Sequence, residues 1–576
     1  MASRLTTYII VFIVTTTVVA GLIVGAQRDD ADGPVDLIIT NGRVYAEGGP
    51  TAEAVAVRGN KILRVGSNRE IKRLRRPSTV SIDAHGAAVV PGFNDSHSHL
   101  LSGGLSLAHL DLLDATTFEQ IQSAIREFAA AHPERAWILG RGWYYEPFPG
   151  GLPTRQQLDA LVPDRPAYFT AYDGHTGWAN SRALAAAGIT RATPNPANGV
   201  IEKDPRSGEP TGVLKEAAMA LVGRALPPAT RDDRLEGLRR AIDLAHTVGV
   251  TSVQNAGGSP EDLELYDTLR TLGELDLRVY QALSASPGFA VHDLERFEAV
   301  RVKFPDDPLL KSGAVKIMLD GVVESHTAAM LAPYANRRTT GQLNLPPEQL
   351  NRVVAMLDKA GWQVMIHAIG DAGIRAALDA FAHANTLNPA PERGRRHRIE
   401  HIETLDPADL PRFAALGVVA AQQPYHGSPA PNQIAVWKEN LGEPRASRAW
   451  VYKSLHGSGA RVVFGSDWPV VSMDPRQGLH VATTRTALDG EPAGGWLPEE
   501  RVTLSEALDA HTATAAWASF DEHRKGTLAP GMLADMVILT SDIFAPGAKL
   551  LDTRVAKTIF DGRVVYDRER TEPTDE

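Results

Sequence analysis

Two histidines lie close together in the segment VVPGFNDSHSH, where one residue separates His97 from His99. Alternate residues of a β-strand point to the same face, and in a barrel that face is the interior. Imidazole is the side chain that most often binds metals in proteins. A lone pair of histidines is weak evidence, but its spacing indicates one wall of a metal site.

Three more side chains of the ligand type stand at the ends of other predicted strands. His367 follows QVMI, His401 follows HRIE, and Asp467 follows VVFGS. The carboxyl ends of the strands of an α/β barrel meet at one face, which is the face that carries catalysis. Five side chains from four strands therefore predict a divalent-metal site.

Lys316, in AVKIMLD, is the sixth candidate metal ligand. An ammonium group among apolar neighbours loses hydration, and a nearby cation would also repel it. Carbamylation by CO₂ would convert this lysine into an anionic ligand that bridges two metals. In the alternative interpretation, Lys316 pairs with Asp320 or Glu324. Glu324 is also a candidate substitute carboxylate ligand or substrate contact.

Composition limits the other chemistries. The 576 residues contain 59 Lys and Arg against 69 Asp and Glu, a formal net charge of -10, and no cysteine. This balance lacks the basic surface that nucleic-acid binding requires. The absence of cysteine excludes disulfides, thiolate nucleophiles and sulfur ligands. Histidine and carboxylate ligands favour Zn²⁺, as one or two ions, with Mn²⁺, Fe²⁺ or Co²⁺ as substitutes.

Eight short apolar runs alternate with amphipathic helical stretches, a pattern typical of a parallel α/β fold. The sequence predicts a (β/α)8 TIM-type barrel over residues 91–515. The predicted strands end at His99, Gly257, Ser284, Gly321, Asp371, Glu403, His426 and Pro469.

The first two predicted barrel strands are separated by about 150 residues, against about 30 in a typical βα unit. We expect a large insertion within residues 100–245. Its aromatic content favours a lid or substrate wall over a solvated loop. Trp143 and His175 in this insertion, and His326 after the fourth strand, are predicted substrate contacts. For each of these histidines, a purely structural role is the alternative.

Both ends of the chain carry β-rich segments. Residues 35–90 and 520–570 contain short Val- and Ile-rich runs with Asn-Gly and Asp-Gly turns, which predict one small β-sandwich domain built from both termini. Residues 5–26 form an uncharged apolar stretch. They predict that residues 1–26 are a signal peptide or an N-terminal membrane anchor. We therefore expect an exported, periplasmic or membrane-anchored protein.

The ordered set of motifs resembles the amidohydrolase superfamily. The segments VVPGFNDSHSH, VKIMLDG, IHAIGD, RIEH and GSDWPV are similar to its strand ends, and GRGWYYEPF, DGHTGWANS and DGVVESHTAAM resemble its family 3 branch, which includes N-substituted formamide deformylase-like proteins. The resemblance implies a barrel with a composite β-sandwich and a mono- or binuclear centre, usually zinc. It places His97, His99, His367, His401 and Asp467 at ligand positions and Lys316 at the bridging lysine.

These observations predict a metal-dependent hydrolase of a carbon–nitrogen bond other than a peptide bond, such as an N-acyl or N-formyl amide. Asp467 would move the proton, and His401 would help to stabilise the oxyanion. The alternatives are a barrel hydrolase of cyclic amides, esters or phosphoesters, and an inactive, membrane-tethered binding protein. The expected partner is a small-molecule substrate, with a homodimer left open.

For Glu400, the residue next to His401, the sequence predicts a structural role. Glu400 precedes His401, and strand alternation predicts that the two side chains point to opposite faces. Glu400 is expected to pair with Arg398 away from the site.

Overall fold

The computed structural model describes residues 35–571, except positions 47, 173, 175, 197–198, 287 and 430. The predicted export segment and His175 therefore lie outside the described residues. Within the part of the chain that is described, no helix is both long enough and apolar enough to cross a membrane.

The predicted eight-stranded parallel barrel is confirmed in its main feature, a nearly closed sheet in which the strands follow one another in sequence order. The first to eighth barrel strands are Phe93–Ser98, Val250–Asn255, Arg278–Ala285, Leu310–Met318, Gln363–Ala368, Arg398–His401, Val419–Gln422 and Val462–Phe464. Just beyond the eighth strand, the amide of Asp467 donates to the carbonyl of His97 at 2.7 Å. A parallel bridge also joins Ser98 to Trp468. These contacts hold the first and eighth strands side by side.

Gly465 permits this close approach. A Cβ atom at Gly465 would lie 2.8 Å from the Cβ of His97 and 2.9 Å from Oδ1 of Asp95. Only a residue without a side chain allows the eighth strand to come this near the histidine pair. The glycine between Phe464 and Ser466 thus brings Asp467 to His97.

Helices surround the barrel. They are Leu100–Ser106, Arg231–Thr247, Pro260–Leu272, Val291–Lys303, Pro347–Lys359, Asp371–Leu387, Leu410–Leu416, Pro431–Leu441, Tyr452–Gly457, Pro475–Thr484, Leu504–His511 and Ala513–Ala518. Several begin with a capping box, as at Thr230, whose hydroxyl accepts from the amide of Asp233 at 3.1 Å. Such caps satisfy amides that the first helical turn leaves unpaired.

The insertion after the first barrel strand forms a six-stranded sheet of its own. In spatial order the strands are Gly199–Lys203, Pro210–Glu216, Thr176–Ala179, Ala167–Ala171, Ile138–Trp143 and Leu110–Asp111. Its helices are Phe118–Ala131, Arg155–Asp159, Ser181–Ala186 and Met219–Gly223. Nη1 of Arg141 donates to the carbonyl of Pro469 at 2.7 Å, two residues from Asp467. The insertion therefore contacts the barrel face that carries the predicted ligands.

Strands from both ends of the chain form two further sheets. One contains Lys61–Gly66, Ala54–Arg58, Leu37–Thr40 and Val80–Asp83, and the other contains Arg563–Asp567, Val555–Phe560, Met536–Leu539, Ala88–Pro91, Arg43–Ala46 and Gly49–Ala52. The short helices Asn68–Lys72 and Arg568–Thr571 flank them. A single apolar cluster joins residues of both sheets, including Val55, Met536 and Ile559. The two termini thus share one small core beside the barrel.

Candidate metal centre

Asp467 lies at the middle of a group of nitrogen atoms at the carboxyl end of the barrel. Its Oδ1 is 3.3 Å from Nε2 of His97 and 3.0 Å from Nε2 of His99. Nζ of Lys316 is 3.3 Å from the same Nε2 of His97. Three strands therefore bring these four side chains into contact.

His401 and His367 complete the group from the other side. The ring centroid of His401 is 4.8 Å from that of His97 and 4.5 Å from that of His367. Its Nδ1 is 3.9 Å from Oδ2 of Asp467. The structure thus places all six predicted metal ligands together.

The arrangement fits a divalent cation. Ligand atoms held at about 2.0–2.1 Å in a tetrahedron are about 3.3 Å from one another, which is close to the separations around Asp467. Donor atoms of His97, His401 and Asp467 all lie within 4.8 Å of one another. In addition, the buried Nδ1 of His401 has no hydrogen-bond partner among the described residues. A buried polar atom without a partner is rare, and a ligand accounts for it.

The protonation states also suit metal binding, which needs neutral imidazoles and an ionised carboxylate. Burial and the neighbouring Lys316 lower the pKa of His367 to about 3. Burial lowers the pKa of His401 well below its usual value. Burial opposes the charge of Asp467, but His97 and His99 outweigh it and hold the pKa of Asp467 well below its ordinary range. At neutral pH, His367 and His401 are neutral and the carboxylate is charged.

Lys316 is almost fully enclosed, with 3% of its surface exposed. Burial lowers its pKa although the carboxylates of Glu400 and Asp467 act in the opposite direction. Its Nζ contacts His97 rather than the predicted alternative partners, Asp320 and Glu324. Asp320 instead accepts from the amides of Ala329, Ile369 and Gly370 at 2.9–3.0 Å. The alternative interpretation, a lysine paired with Asp320 or Glu324, is therefore wrong.

The sixth strand corrects the expectation for Glu400. His401 and Ile402 have φ values of 75° and 52°, in the left-handed region. This turn ends the regular alternation of side chains, so both His401 and Glu400 face the barrel interior. Asp467 also has a positive φ, 61°. Non-glycine residues in this region store strain and cluster at functional sites.

Glu400 orients the imidazole of His97, the first predicted ligand. Its Oε2 lies 2.5 Å from Nδ1 of His97, while Nε and Nη2 of Arg398 donate to its two oxygens at 2.8 and 2.9 Å. The predicted pairing with Arg398 is correct, but it occurs inside the barrel. Burial opposes ionisation, yet Arg398 and His97 lower the pKa of Glu400 to about 2. A carboxylate on Nδ1 leaves Nε2 free for the metal, the usual support of a metal-binding histidine.

Asp95 provides a second support. Its carboxylate accepts from the amide of His97 at 3.1 Å and from the amide and hydroxyl of Ser466 at 2.9 and 2.5 Å. Burial raises the pKa of Asp95 to about 6. One side chain thus ties the histidine strand to the segment that carries Asp467.

Two residues at the centre were not predicted as site residues. His426 follows the seventh strand, and its Nδ1 is 3.3 Å from Oε1 of Glu403. Its Nε2 is 3.7 Å from Oδ2 of Asp467. Burial disfavours the charged ring, but Glu403 and Asp467 outweigh it and raise the pKa of His426. The sequence feature that could have indicated His426 as a site residue is its position at the end of a predicted strand.

The predicted substrate contacts have different positions. Trp143 is fully buried in the core of the insertion, and its indole N–H donates to the carbonyl of Phe169 at 3.1 Å. It offers no surface to a substrate, which corrects the prediction for this residue. Glu324 is exposed, and one of its oxygens accepts from the indole of Trp437 at 3.1 Å. Glu324 contacts none of the six ligands, so it is not a bridging carboxylate here.

His326 lines a cavity of about 830 Å³ between the insertion and the loop after the fourth strand. The insertion contributes Thr176, Val200 and Lys215, and the loop contributes His326, Thr327 and Arg337. The carbonyl of Thr327 accepts from the amide of Gly321 at 3.3 Å, and the carbonyl of Gly321 is 3.4 Å from Nε2 of His367. Two successive contacts thus link Thr327 in the wall of the cavity to His367.

Comparison with known proteins identifies the family. A model of the amidohydrolase family matches residues 81–566, which include all six predicted ligands. This chain belongs to the amidohydrolase family. The match confirms the resemblance predicted from the strand-end motifs, and the family supports a hydrolytic function.

Relatives of this amidohydrolase cover nearly its full length. It is 34% identical to the protein LONG AFTER FAR-RED 3 of Arabidopsis thaliana, over 92% of this chain and 91% of the relative. It is 28% identical to an N-substituted formamide deformylase of Arthrobacter pascens, over 92% and 98% of the two chains. A crystal structure of an uncharacterized metal-dependent hydrolase from Pyrococcus furiosus superposes with a TM-score of 0.68 and 25% identity, covering 86% of this chain and 97% of the other.

Proposed function

We propose that this amidohydrolase cleaves a carbon–nitrogen bond other than a peptide bond, in an N-acyl or N-formyl amide of a small molecule. The observation that carries the proposal is the position of the ionised Asp467 among the imidazoles of His97, His99 and His401. The similarity to an N-substituted formamide deformylase supports the choice of bond.

His97, His99, His367, His401 and Asp467 would hold the metal, for which Zn²⁺ is the proposed ion, one or two per chain. When bound there, a divalent cation would supply a lowered pKa for a bound water and stabilisation of negative charge on a carbonyl oxygen. The unpaired Nδ1 of His401 favours a ligand role over the predicted role as an oxyanion donor. The buried Lys316, whose pKa is lowered, is a suitable amine for carbamylation.

Asp467 is the proposed proton carrier. Its Oδ2 is 3.9 Å from Nδ1 of His401 and 3.7 Å from Nε2 of His426, which are longer than hydrogen-bond distances, so this oxygen is the one available to accept a proton. The carboxylate accepts a proton from the attacking water as the new C–O bond forms. It then passes that proton to the nitrogen as the C–N bond breaks, which yields a carboxylic acid and an amine.

The non-reacting part of the substrate is proposed to occupy the cavity beside the centre. The volume of about 830 Å³ is sufficient for a small organic molecule. His326 lies on the barrel side of this cavity, where its Nε2 is 2.9 Å from Oδ1 of Asn336. The insertion would thus act as the substrate wall, and His326 as one of its polar contacts.

We also propose that the protein is exported. The proposal rests on the uncharged apolar residues 5–26, which suit a signal peptide or a membrane anchor. Fractionation of cells that produce the full-length chain tests it, because recovery of that chain in the cytosol would contradict export.

A substrate panel tests the proposed reaction. Metal-loaded protein is incubated with N-substituted formamides, N-acyl amines, cyclic amides, carboxylic esters and phosphoesters, and released amine or acid is quantified. We expect turnover of a formamide or N-acyl amine with kcat/KM at least tenfold above that for the esters. Turnover of only esters or phosphoesters would overturn the bond assignment. Metal-loaded protein without any turnover would favour a binding protein.

A further inference from the structure

A histidine–carboxylate pair outside the six predicted ligands faces the centre. His426 lies in the short helix Pro424–Gly427, directly after the seventh barrel strand, and Glu403 lies two residues after His401. The side chains of His426 and Glu403 are 12% and 6% exposed. Both are therefore shielded from solvent by the barrel loops.

Each ring nitrogen of His426 has a different neighbour. Nδ1 is 3.3 Å from Oε1 of Glu403, and Nε2 is 3.7 Å from Oδ2 of Asp467. A carboxylate that accepts the proton of one ring nitrogen sets the orientation of the ring and the role of the other nitrogen. Glu403 thus directs Nε2 of His426 toward the proton-carrying oxygen.

The carboxylate of Asp467 divides the centre into two sides. Oδ1 contacts Nε2 of His99 at 3.0 Å and Nε2 of His97 at 3.3 Å. Oδ2 instead faces His426 and His401 at 3.7 and 3.9 Å. These separations are longer than a direct hydrogen bond, so Oδ2 of Asp467 and Nε2 of His426 can both hydrogen-bond to one reacting group that lies beside them.

We propose that His426 is a further catalytic residue, whose Nε2 hydrogen-bonds to the scissile amide opposite Asp467, and that Glu403 is its positioning residue. This inference rests on the proposed hydrolysis and adds the group that orients the bond being cleaved. The rings of His426 and His401 are parallel within 5° at a centroid separation of 6.0 Å.

A metal-ligand role for His426 is the competing interpretation. Donor atoms of His401, Glu403 and His426 lie within 4.8 Å of one another, so these three residues could hold an ion of their own. The pairing of Nδ1 of His426 with Glu403 leaves Nε2 free for either role, as the pairing of Nδ1 of His97 with Glu400 does for a metal ligand. Metal content distinguishes the two interpretations.

The test compares His426→Ala, His426→Asn and His426→Gln in the metal-loaded protein, on whichever panel substrate the wild type hydrolyses. Glutamine places its amide nitrogen near the position of Nε2, whereas asparagine reaches only the position of Nδ1. We expect kcat to fall about 100-fold or more in the alanine and asparagine variants, with KM changed less than about threefold. We expect the glutamine variant to retain at least about tenfold more activity than the asparagine variant.

The positioning role has its own readout. Glu403→Gln is expected to lower kcat about tenfold. Because Glu403 acts through the ring of His426, the double variant Glu403→Gln/His426→Ala should have the same kcat as His426→Ala alone or a higher one. His246→Ala is the matched control, since it removes another buried imidazole, paired with the carbonyl of Asp276 at 2.7 Å. This control should keep wild-type kcat.

Three results would overturn the proposal: unchanged kcat in His426→Ala, equal activity of the asparagine and glutamine variants, or loss of metal from His426→Ala. The last result would assign His426 as a ligand. Failure of the proposed amide hydrolysis is a separate outcome, because it is measured on the wild type. An ester substrate would still report on His426.

Discussion

Oε2 of Glu400 lies 2.5 Å from Nδ1 of His97, and both side chains are completely buried. The same carboxylate accepts two hydrogen bonds from the buried guanidinium of Arg398. The charges of a fully buried pair compensate each other, and removal of one leaves the other uncompensated. The orientation of His97, the first proposed ligand, therefore depends on a buried ion pair at the centre of the barrel.

Glu400→Gln should destabilise the protein by about 3–5 kcal/mol at neutral pH, because Arg398 loses its counter-charge. The folded-state pKa of Glu400, about 2, is below the ordinary value of 4.5. The stabilisation is thus complete above pH 4.5 and is lost as the pH falls through 2. Urea unfolding of the wild type and of Glu400→Gln at several pH values from 7 to 3 measures this stabilisation.

The difference in free energy of unfolding between the wild type and Glu400→Gln should become smaller as the pH is lowered. Glu522→Gln is the control, since Glu522 forms a similar two-point pair with Arg396 but is 25% exposed. The Glu522→Gln substitution should lower the free energy of unfolding by no more than about 1 kcal/mol. If the loss of unfolding free energy in Glu400→Gln did not change with pH, the stabilising role assigned to the charge of Glu400 would be contradicted.

Asp467→Asn should reduce kcat by about 100-fold or more, since the amide cannot carry the proton from water to the leaving nitrogen. Circular dichroism should show an unchanged fold. The exposed Asp379, which pairs with Arg412 at 2.6 Å, provides the control Asp379→Asn, with wild-type activity expected. Wild-type turnover by Asp467→Asn would exclude this proton carrier.

Arg141→Ala should loosen the insertion over the barrel, because it removes the hydrogen bond to the carbonyl of Pro469. A hydrogen bond from a charged donor contributes about 1.5–3 kcal/mol, so we expect KM to rise about tenfold with a smaller change in kcat. Steady-state kinetics on the best panel substrate provides the measurement. The control, Arg182→Ala, removes a similar bond to Pro163 within the insertion. Equal KM values for both variants would argue against a substrate wall held by Arg141.

Much of this centre could be predicted from strand ends. His97, His367 and His401 each follow or end a short apolar run, and the carboxyl ends of parallel strands must share one face. The number of residues that separates two strand ends in the sequence then has little influence on how close their side chains lie. The position of Lys316 was predictable for the same reason, because its strand places it among apolar side chains facing the interior.

The residues that escaped prediction depend on local backbone geometry. Glu400 was assigned to the wrong face because the left-handed backbone at His401 breaks the two-residue alternation. His426 lies in a short helix after a strand, where periodicity defines no side-chain direction. Trp143 was predicted to line the substrate wall, but the insertion has its own core, and aromatic composition does not distinguish the two locations.

The central claim is that one cation site joins these distant residues. Crystals of Zn²⁺-loaded protein, measured on both sides of the zinc absorption edge, test it most directly. We predict an anomalous peak within about 2.0–2.2 Å of Nε2 of His97, Nε2 of His99 and a carboxylate oxygen of Asp467, which disappears in His97→Ala/His99→Ala. A folded, zinc-soaked protein with no peak at this position would contradict the account.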